Sequence, residues 1–209
     1  LSVRVPVPSA ADGSEPDLSL LRVTLERQPN VVGMPPGGAS FSPPPDADGS
    51  FVLQGVPVGD FQASIRALPP DAYVKSMRLG AADVLDDGLH LSGTPRETLE
   101  VVIVMNAGAV TGTVMNARQE PLENAVVVAV PDADRHRADL YKRATSDGSG
   151  RFSVRGVAAG PYRVFAWEVV EEGAWQDPDF IRASENRGTA VRVRDGADEN
   201  VQVTVIEAR

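Results

Sequence analysis

The residue types that most often carry enzyme chemistry are few in this chain and are widely spaced. Its 209 residues include no cysteine and two histidines, His90 and His136. A cysteine nucleophile, a disulfide and a thiolate metal site are therefore excluded. A serine hydrolase needs a serine, a histidine base and an orienting acid, and neither histidine lies near a Gly-x-Ser-x-Gly sequence. Ser149 stands between two glycines, but in a turn-like segment, so we predict no catalytic residues and no enzyme activity.

Neighbouring carboxylates occur in several places, and one of them is similar to the start of a calcium-binding loop. Asp46 and Asp48 have the spacing of the first ligands, yet no bidentate glutamate follows at the twelfth position. We therefore predict no metal and no cofactor, and keep Asp46 and Asp48 as the candidates to examine. A glycosidase pair would need a cleft and one carboxyl kept protonated by apolar surroundings, whereas these acidic loops favour solvated charge. Among these pairs are Asp46 with Asp48, Asp86 with Asp87, Glu171 with Glu172, and Asp177 with Asp179.

Three aromatic residues are candidates for stacking on sugar rings. Trp167, Trp175 and Tyr141 lie in the second half of the chain, in or near a long connection. The alternative is that Trp167 packs at the edge of a folded domain while Trp175 anchors the connection. Aromatic content is only 5%, which is low for a dedicated carbohydrate binder. A carbohydrate partner and a carbohydrate-binding module therefore stand as the second hypothesis.

Charge and hydropathy limit the classes of partner. The formal net charge is −9, and Lys75 and Lys142 are the only lysines. Nucleic acid is disfavoured, because a phosphate backbone requires clustered Lys and Arg. No apolar run approaches the roughly 18 residues of a membrane span. The chain begins at Leu1 without a signal-like segment, which predicts a mature form or a fragment of something longer.

A repeated motif organises the chain. Residues 49–61 and 150–162 both read Gly-x-Phe-x-x-x-Gly-Val-x-x-Gly-x-aromatic, 101 positions apart. The pattern predicts a short strand, a glycine-bounded connection and a second strand, present once in each half. We therefore predict two domains, residues 1–106 and 107–209. The motif residues are Gly49, Phe51, Gly55, Gly59 and Phe61 in the first copy, and Gly150, Phe152, Gly156, Gly160 and Tyr162 in the second.

Strand patterns surround both copies of the motif. Residues 1–7 alternate apolar and polar side chains, and Pro6, which has no N–H to donate, predicts that this strand lies at a sheet edge or is unpaired on that side. Prolines and glycines crowd residues 29–48, which predicts a long surface loop. A second long connection spans residues 168–187, where Phe180 and Ile181 favour a helical turn that packs inward. Many short strands with turns between them indicate an all-β fold, two tandem Greek-key β-sandwiches.

The motif, together with Gly108–Val114 and Pro121–Val127, resembles the carboxypeptidase regulatory-like domain family. The resemblance implies two tandem transthyretin-like (prealbumin-like, Ig-like) β-sandwiches. The Asp-Gly-x-Phe turn and the Gly-x-Tyr strand start of the family match residues 147–162 closely. The first copy lacks the Gly-x-Val opening strand, and Asn124 stands where the family often has glycine. The resemblance also implies tandem, non-catalytic parts of exported or envelope proteins.

These observations predict a non-catalytic structural or interaction module of an exported or cell-envelope bacterial protein, extracellular in location. The partners we expect are other protein domains or further copies of the same chain. Residues 1–7 are the segment that we expect to pair with a neighbouring copy by strand addition and so to build a filament. The long connections at 29–48 and 168–187 are the other segments in which we expect function to lie.

Overall fold

A computed structural model describes residues 1–6, 18–28, 40–41, 43, 45–46 and 48–207 of the chain. The chain divides into two compact units, Leu1–Met105 (unit 1) and Asn106–Arg209 (unit 2). The sequence places the junction one residue later, after Asn106. Both units are built almost entirely of strands, so the chain is all-β as predicted. In its described parts no helix is both long and apolar enough to cross a membrane.

Unit 1 is a sandwich of two sheets whose inner faces share one hydrophobic core. One sheet has the strand order β4-β1-β9-β6-β7, and the other has the order β3-β2-β5-β8. Alternating apolar side chains of both sheets point inward, as period-2 patterning requires. The elements are β1 (Ser2–Arg4), β2 (Arg22–Gln28), β3 (Ser40–Phe41), β4 (Ser50–Val52), β5 (Gly59–Arg66), β6 (Tyr73–Leu79), β7 (Ala82–Asp83), α1 (Val84–Asp87), β8 (Leu89–Leu91) and β9 (Leu99–Val104).

Unit 2 repeats this plan with sheets ordered β13-β10-β16 and β12-β11-β14-β15. Their inner faces enclose a core of valines, alanines, Phe152 and Tyr162. The strands are β10 (Gly108–Met115), β11 (Val126–Pro131), β12 (Lys142–Thr145), β13 (Arg151–Val157), β14 (Gly160–Trp167), β15 (Thr189–Val193) and β16 (Asp198–Thr204). One α-helix, α2 (Pro178–Arg182), and 3-10 turns at Ala138–Leu140, Ala174–Gln176 and Glu185–Arg187 complete the described elements.

The first strand is shorter than predicted and does not lie at a sheet edge. Val3 pairs with Phe51 of β4 in antiparallel fashion and with Leu99 of β9 in parallel fashion. Val3 and Val5 are fully buried, so their hydrophobic burial holds the strand inside the sheet. Pro6 follows the strand, so its missing N–H costs no ladder hydrogen bond. The edge prediction is therefore wrong, and among residues 1–6 the strand already has a partner on both sides; Val7 lies outside the described residues.

The two long connections differ in how far the structure describes them. Most of residues 29–48 lie outside the described residues, but Ser40–Phe41 forms β3 and pairs with β2, where the sequence predicts loop. Those two positions fall in the proline-free stretch of the segment, where a ladder can form. Residues 168–187 are fully described. They contain α2 with Ile181 buried, as the sequence predicts, and the carboxylate of Asp177 caps the helix by accepting from the Asp179 N–H at 2.8 Å.

Candidate functional site

The glycines that open the repeated motif serve the fold. Gly49 and Gly150 have φ values of +78° and +72°, a left-handed conformation that glycine adopts without steric cost. A Cβ atom would lie 1.8 Å from the Val5 carbonyl oxygen at Gly49, and 2.9 Å from that of Val114 at Gly150. The Gly49 carbonyl accepts from the Val5 N–H, directly after β1, at 2.9 Å, and the Gly150 carbonyl accepts from the Val114 N–H of β10 at 2.8 Å. The turn thus lets that strand approach closely.

The remaining motif residues also have structural positions. Phe51 and Phe61 are buried in the core of unit 1, and Phe152 and Tyr162 in that of unit 2. The other glycines lie at the connection between the two motif strands, and all four have positive φ: Gly55, Gly59, Gly156 and Gly160. The repeated motif therefore positions surrounding segments and offers no exposed chemistry of its own.

Asp46 and Asp48 lie in the turn that precedes β4, and the structure shows what Asp48 binds. Its Oδ1 accepts from the Ser50 N–H at 3.0 Å, and its Oδ2 accepts from the Ser50 hydroxyl at 3.2 Å. Asp147 closes the equivalent turn of unit 2 by accepting from two backbone N–H groups. These are local side-chain to backbone bonds of turns. The described residues include no cluster of three or more His, Cys, Asp or Glu that could hold a metal ion.

The predicted sugar-stacking residues are not exposed. Trp167 is 3% exposed and Trp175 is 4% exposed. The Trp167 ring stacks on Phe165 with centroids 5.4 Å apart, and Phe180 lies 5.8 Å away. Tyr141 is half-buried; its hydroxyl donates to the Arg135 carbonyl at 2.9 Å, and burial raises its pKa. A buried tryptophan ring cannot stack on a sugar, so Trp167 and Trp175 do not form the predicted platform, and Tyr141 alone stays partly accessible.

Unit 2 has a second apolar cluster, on the outer face of the β12-β11-β14-β15 sheet, that the sequence reading missed. The 168–187 segment folds over this face and buries it. The signal was present, because residues 126–130 are apolar without a break and such a strand is buried on both faces. The buried members of this outer cluster are Val128, Val130, Phe165, Trp167, Trp175 and Ile181.

An ion-pair network ties the covering segment to the sheet. Arg135 donates to both carboxylate oxygens of Glu185, at 2.8 Å and 3.1 Å, a bidentate geometry that is strong for a charge pair. Arg163 and Asp132 extend the network. The hydrogen bonds that Arg135 donates to Glu185 lower the pKa of Glu185 and raise the pKa of Arg135. The segment is therefore fixed by packing on one side and by charge on the other.

A groove of about 540 Å³ lies between the covering segment and the end of the last strand in unit 2. Its volume is in the range of ligand-binding clefts. Val169, which is 70% exposed, stands at the groove with Phe180, and Arg187 donates to the Val205 carbonyl at 3.0 Å. The groove has polar and apolar surface in nearly equal parts, with charged groups at Arg187 and Glu207. Its lining residues are Ala117, Trp167, Val169, Phe180, Ala183, Ser184, Arg187, Thr204, Val205, Ile206 and Glu207.

Residues 109–206 match the family model of the carboxypeptidase regulatory-like domain. The match spans nearly all of unit 2. Unit 2 is therefore similar to this family over nearly its whole length. At position 124 the family often has glycine, and this chain has Asn124 with φ +60°. Asparagine tolerates the left-handed conformation that glycine otherwise takes there. Among curated proteins, none matches this chain in sequence.

Several solved structures resemble the chain at a distance. The minor pilin of Streptococcus agalactiae is 12% identical, with 97% of this chain and 93% of that chain covered and a TM-score of 0.40. The shaft pilin SpaA of Lactobacillus rhamnosus GG is 14% identical, with coverage of 98% and 96% and a TM-score of 0.34. A putative carbohydrate binding protein from Pseudomonas aeruginosa is 16% identical, with coverage of 47% and 88% and a TM-score of 0.31. At these TM-scores the likenesses carry no functional argument.

Proposed function

We propose that this chain is a non-catalytic structural and interaction module of an exported or cell-envelope bacterial protein. The observation that carries the proposal is the 168–187 segment of unit 2, which is held over one sheet and forms a groove beside the last strand. Function is commonly carried by loops that a rigid scaffold positions. The similarity of unit 2 to the carboxypeptidase regulatory-like domain supports this role, because that resemblance implies non-catalytic parts of exported proteins.

The energetics favour a presented surface over a mobile lid. Trp175 and Ile181 are buried against the sheet, and burial of side chains of this size contributes about 1.5–3 kcal/mol each. The bidentate Arg135–Glu185 pair adds a second point of attachment. A partner therefore meets a surface that is already ordered, which reduces the entropy cost of binding.

Self-association through residues 1–7 would disrupt the fold of unit 1. Pairing of residues 1–7 with a neighbouring copy would require β1 to leave its two partner strands and would expose the buried Val3 and Val5. We therefore propose that contacts with other proteins or other copies are made by unit 2, with unit 1 as a folded spacer.

Cellular location and site-specific crosslinking test the proposed function. A photo-crosslinking residue at position 169 of the full-length parent protein, in intact cells, should give a discrete crosslinked product. The same residue at Val58, a comparably exposed valine of unit 1, is the matched control and should give none. Added protease should digest the protein on intact cells. Protection from protease until lysis, or equal crosslinking at both positions, would contradict the proposal.

A further inference from the structure

The last strands of the two units have equivalent positions but end differently. β9 and β16 each pair in parallel with the first strand of their unit, which pairs on its other side with the first motif strand. The matched triplets are Phe51, Val3 and Leu99 in unit 1 and Phe152, Gly112 and Val201 in unit 2. In unit 1, β9 pairs with β6 up to its last residue, Val104. In unit 2 the chain leaves β16 and crosses to the other sheet, and the groove lies at this crossing.

The residues that follow β16 line the groove, and their backbone is already bonded. The Val205 N–H donates to the Met115 carbonyl at 2.9 Å. The Ile206 N–H donates to the Ala166 carbonyl of β14 at 2.7 Å. The Ile206 carbonyl accepts from the Glu168 N–H at 3.2 Å. Because these backbone groups are satisfied, the groove offers a ligand its side chains and not an open strand.

Apolar side chains of the covering segment line the groove from the other side. Val169 is 70% exposed, the highest value for a large apolar side chain in the part of the chain that the structure describes. Phe180 is half-buried, and its ring centroid lies 5.8 Å from that of Trp167. An apolar group that covered Val169 and the open part of Phe180 would remove from water a surface that the fold itself leaves exposed.

One positive charge at the groove lacks an ion-pair partner among the described residues. The Arg187 guanidinium donates to the Val205 carbonyl at 3.0 Å. Glu185, two residues earlier in the chain, is engaged by Arg135 and Arg163 instead. A guanidinium carries five N–H donors in a rigid fork. Arg187 therefore keeps donors for a carboxylate in bidentate geometry, while its bond to Val205 holds it in place.

The groove also limits the size and the charge of a ligand. Its volume of about 540 Å³ suits a small organic molecule. Glu207 lines the groove and is exposed, so a second negative charge on the ligand would be repelled. Ser184 and Thr204, which carry hydroxyl groups, line it as well. These features favour a ligand with one negative charge and one apolar group.

We infer that this groove binds a small aromatic carboxylate with a single negative charge. The carboxylate lies at the Arg187 guanidinium, and the aromatic ring lies against Val169 and Phe180, where two rings can pack offset or edge to face. The inference goes beyond the proposed function, because it adds a small ligand to a unit proposed there for contacts with proteins.

Two probes that differ only in charge test the site. Naphthoate is titrated into the isotope-labelled full chain and followed by NMR chemical shifts, and naphthamide, which has the same rings without the charge, is its control. We expect saturable naphthoate binding with a Kd at or below about 1 mM and the largest amide shifts at residues 183–187 and 204–207. Naphthamide should bind at least about fivefold more weakly. Equal binding of the two probes, no saturation, or larger shifts elsewhere would overturn the inference.

A charge variant tests the role of Arg187. Arg187→Gln keeps a donor for the Val205 carbonyl but removes the charge, so it should weaken naphthoate binding at least about tenfold and leave naphthamide binding unchanged. Arg182→Gln is the matched control, because Arg182 is an exposed arginine of the same segment that does not line the groove. Tryptophan emission confirms that each variant is folded, because both tryptophans lie in unit 2. Unchanged naphthoate affinity in Arg187→Gln would overturn the inference.

Two further variants test the apolar wall and the sign of the charge. Val169→Asp should weaken the binding of both probes at least about tenfold, whereas Val58→Asp, at a comparably exposed valine of unit 1, should change neither. Glu207→Gln should strengthen naphthoate binding, because it removes a repulsive charge. Unchanged binding in Val169→Asp would overturn the site, and weaker naphthoate binding in Glu207→Gln would overturn the choice of an anion.

A peptide distinguishes a small ligand from the end of a protein chain. A tetrapeptide that ends in phenylalanine with a free carboxylate is titrated in the same way. Tighter binding of this peptide than of naphthoate would overturn the small-ligand assignment in favour of a protein C-terminus, whereas weaker binding supports it. The crosslinking and location experiments use no probe, so the proposed function and this inference fail separately.

Discussion

The two units place equivalent stretches of chain in different positions on the same sandwich. The stretch after the second motif strand is residues 67–88 in unit 1 and 168–187 in unit 2. In unit 1 it forms β6, β7 and α1, and β6 extends the sheet of the last strand. In unit 2 it forms short helical turns that cover the outer face of the other sheet. The stretch that follows the second motif strand thus extends a sheet in unit 1 and covers a sheet face in unit 2.

The equivalent sheets of the two units carry different residues on their outer faces. In unit 2, β11 and β14 carry Val128 and Phe165 outward, and the covering segment buries both. The paired positions of unit 1 are Thr24, which is also fully buried, and Ser64. The outer face of unit 2 is therefore the more apolar one, and the hydrophobic burial that it offers favours packing of the 168–187 segment on it.

Exchange of the residues at one equivalent position should have the largest effect. Val3 is buried in unit 1, and Gly112 is its counterpart in unit 2. A Cβ atom at Gly112 would lie 1.8 Å from the Val201 carbonyl oxygen and 2.9 Å from the Phe152 ring. Gly112→Val should therefore cost more than about 4 kcal/mol and unfold unit 2. Tryptophan emission, which reports unit 2 alone, should shift to that of exposed indole.

The reverse exchange is the matched control. Val3→Gly removes a buried side chain and loosens a strand, at a cost of about 2–4 kcal/mol. Circular dichroism during urea unfolding should show a destabilised unit 1 while the tryptophan transition stays unchanged. A native tryptophan transition in Gly112→Val would show that β10 and β16 can separate locally, and the equivalence of the two strands would need revision.

Replacement of an outward-facing apolar residue of unit 2 by its counterpart in unit 1 should have the next largest effect on stability. Phe165→Ser introduces the residue found at Ser64 and removes the ring on which Trp167 stacks. Loss of a buried phenylalanine costs about 3–5 kcal/mol, and the 168–187 segment should lose its hold on the sheet. Amide hydrogen exchange in α2 should accelerate and tryptophan emission should move to longer wavelength. Ser64→Ala in unit 1 is the control, expected to change stability by less than about 0.5 kcal/mol.

The sequence predicted the strands that form the sandwiches because their patterns are local. Alternation, turn glycines and the repeated motif determine strand, turn and inward face one segment at a time. The same local signals identified the helical turn at Ile181. They could not show that β1 lies between two strands, because that position depends on β9, about 95 residues away. The alternation over residues 1–7 places Pro6 inside the strand, whereas the strand ends at Arg4.

The candidate site was harder to predict, because it arises from a difference between the two copies. The sequence predicts Trp167 and Trp175 as candidates for exposed aromatics, but the unbroken apolar run at residues 126–130 requires a cover, and these tryptophans are buried with it. The groove is formed where the covering segment meets the end of the last strand. No residue type marks that meeting point in the sequence, because it depends on how the 168–187 segment packs.

Removal of the ion pair that holds the 168–187 segment over the sheet should have a smaller, local effect. Arg135→Ala removes the bidentate bond to Glu185 and should cost about 1 kcal/mol, since both side chains are about one-third exposed. Hydrogen exchange at residues 178–187 should increase while the global transition barely moves. Arg182→Ala is the matched control: its ion pair with Asp179 is almost fully exposed, so exchange should stay the same. An equal response in both variants would mean that packing alone fixes the segment.

The Arg135–Glu185 pair also predicts that attachment of the 168–187 segment to the sheet depends on pH. Arg135 lowers the pKa of Glu185 in the folded protein below its ordinary value of 4.5. The stabilisation is therefore present above that ordinary value and is lost as the pH falls through the folded pKa. Exchange at residues 178–187, corrected for intrinsic rates, should rise on acidification in the native chain. In Arg135→Ala this acid-dependent increase should be smaller.

The smallest effect concerns a titrating pair that unit 1 has and unit 2 lacks. Asp60 and His90 face each other across β5 and β8, where unit 2 has Pro161 and Arg192. His90 Nδ1 lies 2.7 Å from the Asp60 carboxylate and Nε2 lies 3.0 Å from the Asp87 carbonyl. These contacts, the Asp60 bond first, raise the pKa of His90 above 6.5. The stabilisation is complete below 6.5 and is lost as the pH rises through the folded pKa. NMR titration should show the raised pKa in the native chain and a lower one in Asp60→Asn; the same pKa in both would show that solvent screens this exposed pair completely.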